Sequence, residues 1–173
     1  MKFNLLLAGA LTLMSHWEPD PAASKILFTV KGPFGAVHGS FSGLKADIQF
    51  SEKDLAGSSI SASIDAQSIH TGIGKRDKDL RKEKWLQTDT YPRISFRSRK
   101  IEPGANGGYK ALGDLTLKGI TQPVELPFTF TPSDNSGVFK GQFIVHRSDF
   151  HVGKDGGSVG NDITITLEVP VKR

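Results

Sequence analysis

Apolar and polar residues alternate with a period of two along much of the chain after residue 25. In the first such segment Ile26, Phe28 and Val30 stand on one side, and Thr29 and Lys31 on the other. Successive side chains of a β-strand point to opposite faces, so this period predicts strands that are each apolar on one face. The same alternation recurs in eight further segments, namely 37–42, 44–50, 60–66, 93–97, 109–118, 124–130, 139–145 and 163–169.

Turn-forming residues separate these segments and join them as hairpins. Glycine, asparagine, aspartate and proline are concentrated at 103–108, 132–137 and 153–161, where they favour tight changes of direction. Strands that are apolar on one face and connected by hairpins form an antiparallel sheet with one buried side. The pattern therefore predicts eight or nine strands, depending on whether residues 34–50 form one long strand bent at Gly43.

About eight antiparallel strands close into a barrel or fold into a sandwich, so the predicted class is all-β. A chain of 173 residues is long enough for one such core and too short for two. The interior of a barrel of this size is either filled by its own side chains or hollow enough to hold one small ligand. The inward face mixes phenylalanines with alanines and glycine, a mixture compatible with either interior.

The one predicted helix, residues 77–86, lies in the most basic part of the chain. Asp77 is suited to cap it, with Leu80 and Trp85 facing inward. Residues 75–100 contain ten basic and four acidic residues, whereas the whole chain has a net charge of +4. Such a segment attracts phosphates or anionic membrane surfaces, although its alternating signs favour the simpler interpretation of a solvated helix face. No zinc-finger, helix-turn-helix or RNP-like pattern occurs, so nucleic-acid binding is not predicted.

Residues 1–15 have the composition of a secretory signal peptide. Lys2 is followed by an apolar run at 5–14, which is shorter than the roughly 20 residues that a membrane-spanning helix needs. The sequence therefore predicts an exported protein whose mature domain comprises residues 16–173. A buried N-terminal helix is the alternative interpretation of this run.

Few residues suggest catalysis or metal binding. The absence of cysteine excludes disulfides, thiolate metal sites and cysteine nucleophiles, and no Gly-x-Ser-x-Gly, His-Glu-x-x-His or EF-hand motif occurs. His146, Asp149 and His151 form a weak metal candidate, because on a strand His146 points away from the other two. Asp77 and Asp79 are poor general acids, because neighbouring bases keep them ionised. We therefore predict no enzyme, no catalytic residue, no metal and no cofactor.

Several short motifs follow one another in a characteristic order. They are Ser-Lys-Ile-Leu-Phe-Thr-Val at 24–30, Arg-Asp-Lys-Asp-Leu-Arg at 76–81, Tyr-Pro-Arg-Ile-Ser-Phe at 91–96, Gly-Asp-Leu-Thr-Leu-Lys-Gly-Ile-Thr at 113–121 and Arg-Ser-Asp-Phe at 147–150. By their order and spacing the sequence resembles the YceI family of exported lipid- or polyisoprenoid-binding proteins, over nearly all of residues 16–173. The resemblance implies a lipocalin-like antiparallel barrel whose lumen holds a prenyl diphosphate or an isoprenoid quinone. It also implies a periplasmic carrier or sequestering protein without catalytic residues.

Given this resemblance, the large inward-facing residues become candidates for lining a lipid-binding lumen, namely Phe28, Phe41, Ile48, Phe96, Leu115, Phe128, Phe143 and Ile165. A diphosphate headgroup needs cations at the barrel mouth. Arg76 and Arg81 are the candidates, because the basic excess lies there. Their alternative role is to pair with Asp77 and Asp79 and so pin the helix across the barrel end.

Two other functions remain compatible with the sequence. A filled barrel would act through its surface, in a stress response or beside a membrane partner. A lipid-processing enzyme would need a buried acid–base pair at the lumen, and the sequence offers no obvious one. Transient contact with a membrane surface is compatible with the basic segment, and the oligomeric state is left open, a homodimer included.

Overall fold

The computed structural model describes residues 14–173, and most of them lie in strands. Short 3₁₀ turns occur at 105–107 and 147–150. The helix and the strands within this range are β1 (His16–Pro19), β2 (Lys25–Gly32), β3 (Gly35–Gln49), β4 (Ser59–His70), α1 (Gly74–Leu80), β5 (Arg93–Pro103), β6 (Tyr109–Leu117), β7 (Ile120–Ser133), β8 (Ser136–His146) and β9 (Asp162–Lys172).

Eight of the strands close into an antiparallel barrel. Their order around the barrel is β3-β2-β9-β8-β7-β6-β5-β4, and the pairing of β3 with β4 completes the ring. The short strand β1 pairs with the end of β3, at His16 and Gln49, and with the end of β9, at Pro19 and Val171. It thereby lies between β3 and β9 beyond the start of β2. The predicted all-β antiparallel barrel is confirmed.

Strand β3 is a single long strand with a bend near its middle. It runs for 15 residues, and its register with β4 shifts between Ser40 and Ser42 and again between Ser42 and Lys45, the interval that contains Gly43. Gly43 has φ +72, and a Cβ at this position would lie 2.9 Å from the Cβ of Asp65. Glycine adopts this left-handed conformation without steric cost. One long strand bent at this glycine is therefore what forms.

The predicted short helix is present, but its bounds differ from the predicted 77–86. Helix α1 spans Gly74–Leu80, and its N-cap position, Ile73, makes no side-chain capping bond. Asp77 is buried in the first turn, where its carboxylate accepts hydrogen bonds from the backbone N–H and hydroxyl of Thr71. The chain folds back after the helix, and the N–H of Leu86 donates a hydrogen bond to the carbonyl of Leu80. Asp77 therefore anchors the residue that follows β4 and does not cap the helix.

The barrel has two unlike ends. We call one the helix end, which carries the connections at 33–34, 71–92, 118–119 and 147–161. We call the other the terminal end, which carries β1, the last strand residues and the connections at 20–24, 50–58, 104–108 and 134–135.

Aromatic side chains fill the interior at the terminal end. The ring of Phe50 is 1% exposed, and its neighbours meet it edge-on at centroid distances of 5.1 to 5.7 Å. The indole N–H of Trp17 donates to the carbonyl of Phe50 at 3.0 Å. We call this cluster the aromatic plug, and its members are Trp17, Phe50, Tyr109, Phe128, Phe130 and Phe139.

The predicted signal peptide, residues 1–15, lies almost entirely outside the described residues. Its cleavage and the export that it implies stay predictions. Between residues 14 and 173, no helix has the length and apolar character needed to cross a bilayer.

Candidate functional site

A cavity of about 720 Å³ occupies the part of the barrel interior that the aromatic plug leaves open. Phe128 and Phe139 belong to the plug and also line the cavity, so the plug forms its floor. At the helix end the lining includes Phe34 and Ile73, which are exposed to solvent. The cavity is therefore a pocket with a closed floor and a mouth at the helix end.

All eight candidate lumen residues lie on the wall of this cavity. Five of them are buried, and the other three are half-buried: Phe28, Ile48, Phe96, Leu115 and Phe128, then Phe41, Phe143 and Ile165. The strand pattern brings these positions together because each is an inward-facing site of its strand. Their contact with a bound lipid stays a prediction.

Glycine and alanine positions keep the cavity hollow. The ring of Phe28 lies over Gly39 so closely that a Cβ there would be 2.2 Å from its Cζ atom. The ring of Phe96 covers Gly113 in the same way, at 2.7 Å. Small cavity-lining side chains add to the space, among them Ala46 and its cross-strand partner Ala62. The interior is therefore filled at the terminal end and open at the helix end.

Two connections narrow the mouth. Leu80 and Trp85 from 71–92 line the cavity beside Val152 and Val159 from 147–161. The connections are joined by a hydrogen bond of 2.8 Å from the N–H of Gly153 to the carbonyl of Lys84. The inward direction predicted for Leu80 and Trp85 agrees with this arrangement. The two valines lie in a glycine-rich segment without periodicity, and no sequence signal pointed to them.

Arg147 also lines the cavity and was not among the sequence candidates. Its side chain is buried, and its guanidinium donates to the carbonyls of Val152, Lys154, Val159 and Gly160 at 2.8 to 3.1 Å. Within residues 14–173, no carboxylate lies within 4.0 Å of it. The guanidinium thus organises the connection 147–161 through backbone oxygens.

The two headgroup candidates differ in position. Arg76 lines the cavity, and its guanidinium donates to the hydroxyl and carbonyl of Thr71 at 2.8 and 2.9 Å. Arg81 lies outside the lining and donates to the carbonyls of Gln67 and Ile69 on β4. Of the two arginines, Arg76 is therefore the one that a ligand in the mouth could reach.

The expected ion pairs of these arginines with Asp77 and Asp79 do not form. Asp77 lies 3.4 Å from the ring of His70, and Asp79 lies 2.6 Å from the ammonium of Lys82. Burial raises the pKa of Asp77, but the Thr71 hydrogen bonds and the charges of His70 and Arg81 outweigh burial and hold the pKa below its usual value. The helix is pinned, but through hydrogen bonds to Thr71 and to β4.

Acid–base chemistry has little support at the cavity. Asp79 is the one carboxylate among the described lining residues, and its hydrogen bond from Lys82 lowers its pKa. No histidine belongs to that lining. The described range 14–173 also contains no group of three or more potential metal ligands among histidine, aspartate and glutamate.

Residues 17–171 match the family model described as a YceI-like domain. The chain belongs to the YceI-like family. A UPF0312 protein of Yersinia enterocolitica is 30% identical over 139 residues, which cover 77% of this chain and 72% of the relative. A UPF0312 protein of Vibrio campbellii is 28% identical over 141 residues, or 78% of this chain and 75% of the relative. The family resemblance drawn from the motifs is confirmed.

Solved structures share the barrel. BcnA of Burkholderia cenocepacia superposes with a TM-score of 0.84 at 27% identity, over 88% of this chain and 99% of that one. A YceI protein of Campylobacter jejuni gives 0.71 at 23% identity, over 79% and 85%. A domain of Saccharophagus degradans described as polyisoprenoid-binding gives 0.68 at 17% identity, over 90% and 97%.

Proposed function

We propose that this YceI-like protein binds the apolar tail of an amphiphilic polyisoprenoid in its cavity and carries or sequesters it in the periplasm. The observation that carries the proposal is the apolar pocket whose floor is the aromatic plug and whose lining reaches a mouth at the helix end. Its volume of about 720 Å³ lies within the ~300–1,000 Å³ typical of ligand sites. The Saccharophagus degradans domain, which has the same fold, is described as polyisoprenoid-binding.

The lining matches the chemistry of an isoprenoid chain. Such a chain offers apolar surface and needs no hydrogen-bonding partner along its length. Burial of about 400 Å² of it at roughly 25 cal/mol per Å² gives about 10 kcal/mol before ordering costs. Binding of this kind depends on shape and area, and the cavity wall of aliphatic and aromatic side chains supplies both.

The closed floor sets the orientation of the ligand. Because the aromatic plug blocks the terminal end, a chain enters tail-first and leaves its headgroup at the mouth. Arg76 and the exposed Lys75 belong to the lining there. A prenyl diphosphate would gain charge-assisted hydrogen bonds from Arg76, whereas a quinone headgroup carries no charge.

The test measures uptake of a prenyl diphosphate and of an isoprenoid quinone by native mass spectrometry and fluorescence displacement. Ala62→Trp places an indole inside the cavity, and Ser61→Trp places one on the exposed face of the same strand. We expect Ala62→Trp to weaken uptake by roughly tenfold or more and Ser61→Trp to leave it unchanged. Equal uptake by both variants, or no uptake of either lipid by the parent protein, would overturn the proposal.

Arg76→Gln separates the two headgroups. Loss of the guanidinium should weaken binding of the diphosphate, because a charge-assisted bond disappears, and should leave quinone binding unchanged. A loss of quinone binding equal to the loss of diphosphate binding would exclude a headgroup role for Arg76.

The proposed periplasmic location has its own test. Cell fractionation reports whether the protein is exported, and N-terminal sequencing of the purified protein reports the cleavage site.

A further inference from the structure

Two exposed apolar side chains stand at the cavity mouth. Phe34, at the tip of the β2–β3 hairpin, is 102% exposed, and Ile73, just before α1, is 52% exposed. Both belong to the cavity lining. A large apolar side chain in full contact with water loses the favourable free energy that burial would give. Their shared position, at the entrance of an apolar cavity, indicates that the mouth meets an apolar environment.

The hairpin that presents Phe34 has a restrained shape. Gly35 has φ +123, a backbone conformation that residues other than glycine rarely adopt. Pro33 fixes its own φ angle, and the N–H of Gly160 donates to the carbonyl of Lys31 at 2.8 Å. The tip is therefore built to hold Phe34 away from the barrel.

Charge is distributed unequally between the two ends. The four connections of the helix end contain nine basic and six acidic residues, whereas the terminal-end connections with Arg173 contain two basic and four acidic residues. Lys31, Lys75 and Lys78, close in sequence to Phe34 and Ile73, are exposed. A protein polarised in this way turns its positive end toward an anionic surface.

We propose that the helix end docks on the surface of a bilayer that contains anionic lipid. Phe34 and Ile73 insert among the acyl chains, and Lys31, Lys75 and Lys78 lie against the headgroups. The cavity mouth then opens directly onto hydrocarbon, so that an apolar chain passes between bilayer and barrel without crossing water. The docked bilayer is the surface from which the barrel takes its ligand, and only this part of the inference rests on the proposed function.

The test is sedimentation with vesicles of phosphatidylcholine, with and without phosphatidylglycerol. We expect the parent protein to bind the anionic vesicles and to dissociate as salt is raised, because surface charges are screened. Phe34→Ser and Ile73→Ser should each lower partitioning by roughly tenfold. Ile144→Ser is the matched control, since Ile144 is 54% exposed on β8 and does not belong to the cavity lining, and it should leave partitioning unchanged.

Phe34→Trp gives a direct signal of insertion. Its tryptophan should be quenched by lipids brominated in the acyl chain when anionic vesicles are present. Equal partitioning by Phe34→Ser and Ile144→Ser, or no quenching of the Phe34→Trp variant, would overturn the proposal. So would self-association in ultracentrifugation that Phe34→Ser abolishes, because a second copy would then cover the two residues.

Docking and cavity binding can fail separately. Ala62→Trp changes the cavity interior and leaves the exposed rim residues in place, so it should bind vesicles as the parent protein does. A parent protein that takes up isoprenoid but ignores anionic vesicles overturns docking and leaves the proposed function standing. If the parent protein binds vesicles but takes up no isoprenoid, the proposed function is overturned and docking is left standing.

Discussion

Arg147 is a buried cation whose partners are four backbone carbonyls. All four carbonyls belong to the connection 147–161, whose regular structure is limited to one 3₁₀ turn. The bond to the Val152 carbonyl is buried and the other three are partly buried. A carbonyl that is shielded from water and loses its donor becomes unsatisfied, which costs free energy. The role of this arginine could not be predicted, because it depends on how an aperiodic loop folds around a single side chain.

Arg147→Met tests this role. We expect a loss of at least about 3 kcal/mol in the free energy of unfolding, because several charge-assisted hydrogen bonds disappear together. Urea denaturation measures the change. The exposed Arg97 on β5 provides the control, and Arg97→Met should alter stability by no more than about 0.5 kcal/mol. Similar losses in both variants would mean that the carbonyl bonds of Arg147 contribute little.

Asp77 links the acid stability of the protein to the end of β4. Its pKa is lowered from 3.8, so the folded state holds the ionised form more tightly than the unfolded chain does. A depressed pKa gives stability that is present above the unfolded value of 3.8 and lost as the pH falls through the folded value. We expect the parent protein to lose stability below about pH 4 more steeply than Asp77→Asn.

Measurement of the unfolding free energy between pH 7 and pH 2 checks this prediction. Thr71→Val is the companion variant, because it removes the hydroxyl that donates to Asp77 and keeps the carboxylate. As the pH is lowered, the unfolding free energy of Thr71→Val should begin to fall at a higher pH than that of the parent protein. Identical acid profiles for the parent protein and Asp77→Asn would contradict the assigned cause.

At the scale of elements, the period-two alternation predicted the eight strands of the barrel. Residues 60–66 and 163–169, for example, lie inside β4 and β9, because each strand has one face inside the barrel and one in solvent. The four-residue strand β1 was missed, since so short a segment shows no period. The predicted helix started too late, because an acidic residue three positions before an inward-facing leucine, here Asp77 before Leu80, resembles a cap whether or not its side chain turns inward.

The contact between the two mouth connections gives a prediction at this scale. Gly153 and Gly156 both have positive φ, +74 and +68, but a Cβ at Gly153 would lie 2.4 Å from the Trp85 ring whereas one at Gly156 meets nothing within 4 Å. Gly156→Ala should therefore lower stability by only about 1 kcal/mol of backbone strain. Gly153→Ala should lower it by a further 1 to 3 kcal/mol, roughly, through overpacking.

Tryptophan fluorescence separates these two glycine variants as well as denaturation does. Displacement of Trp85 should change the emission of Gly153→Ala and leave that of Gly156→Ala as in the parent protein, while Trp17 stays buried in the plug. Equal stabilities and equal spectra would show that Trp85 does not pack on Gly153 in solution.

At the scale of the whole molecule, the barrel interior has two parts. The aromatic plug fills one part and stabilises the fold, and the cavity leaves the other part open. The sequence predicted which residues face inward, but alternation assigns plug and cavity residues to the same face. The difference arises from position along the barrel axis and from which strands oppose each other. Phe50 meets four aromatic rings, whereas the half-buried Phe41 lies beside Phe28 on the cavity wall. No local pattern distinguishes these two phenylalanines.

Three phenylalanine-to-alanine variants test this division in solution. Phe50→Ala should lower the free energy of unfolding by about 3 to 5 kcal/mol, because it leaves a void in a filled region. Phe41→Ala should lower it by only about 1 to 2 kcal/mol, since one side of that ring already faces empty space. Phe34→Ala, at the exposed hairpin tip, should change it by no more than about 0.5 kcal/mol. If denaturation gave Phe41→Ala the same loss as Phe50→Ala, the helix end would be packed as tightly as the plug, and no lipid chain could occupy it.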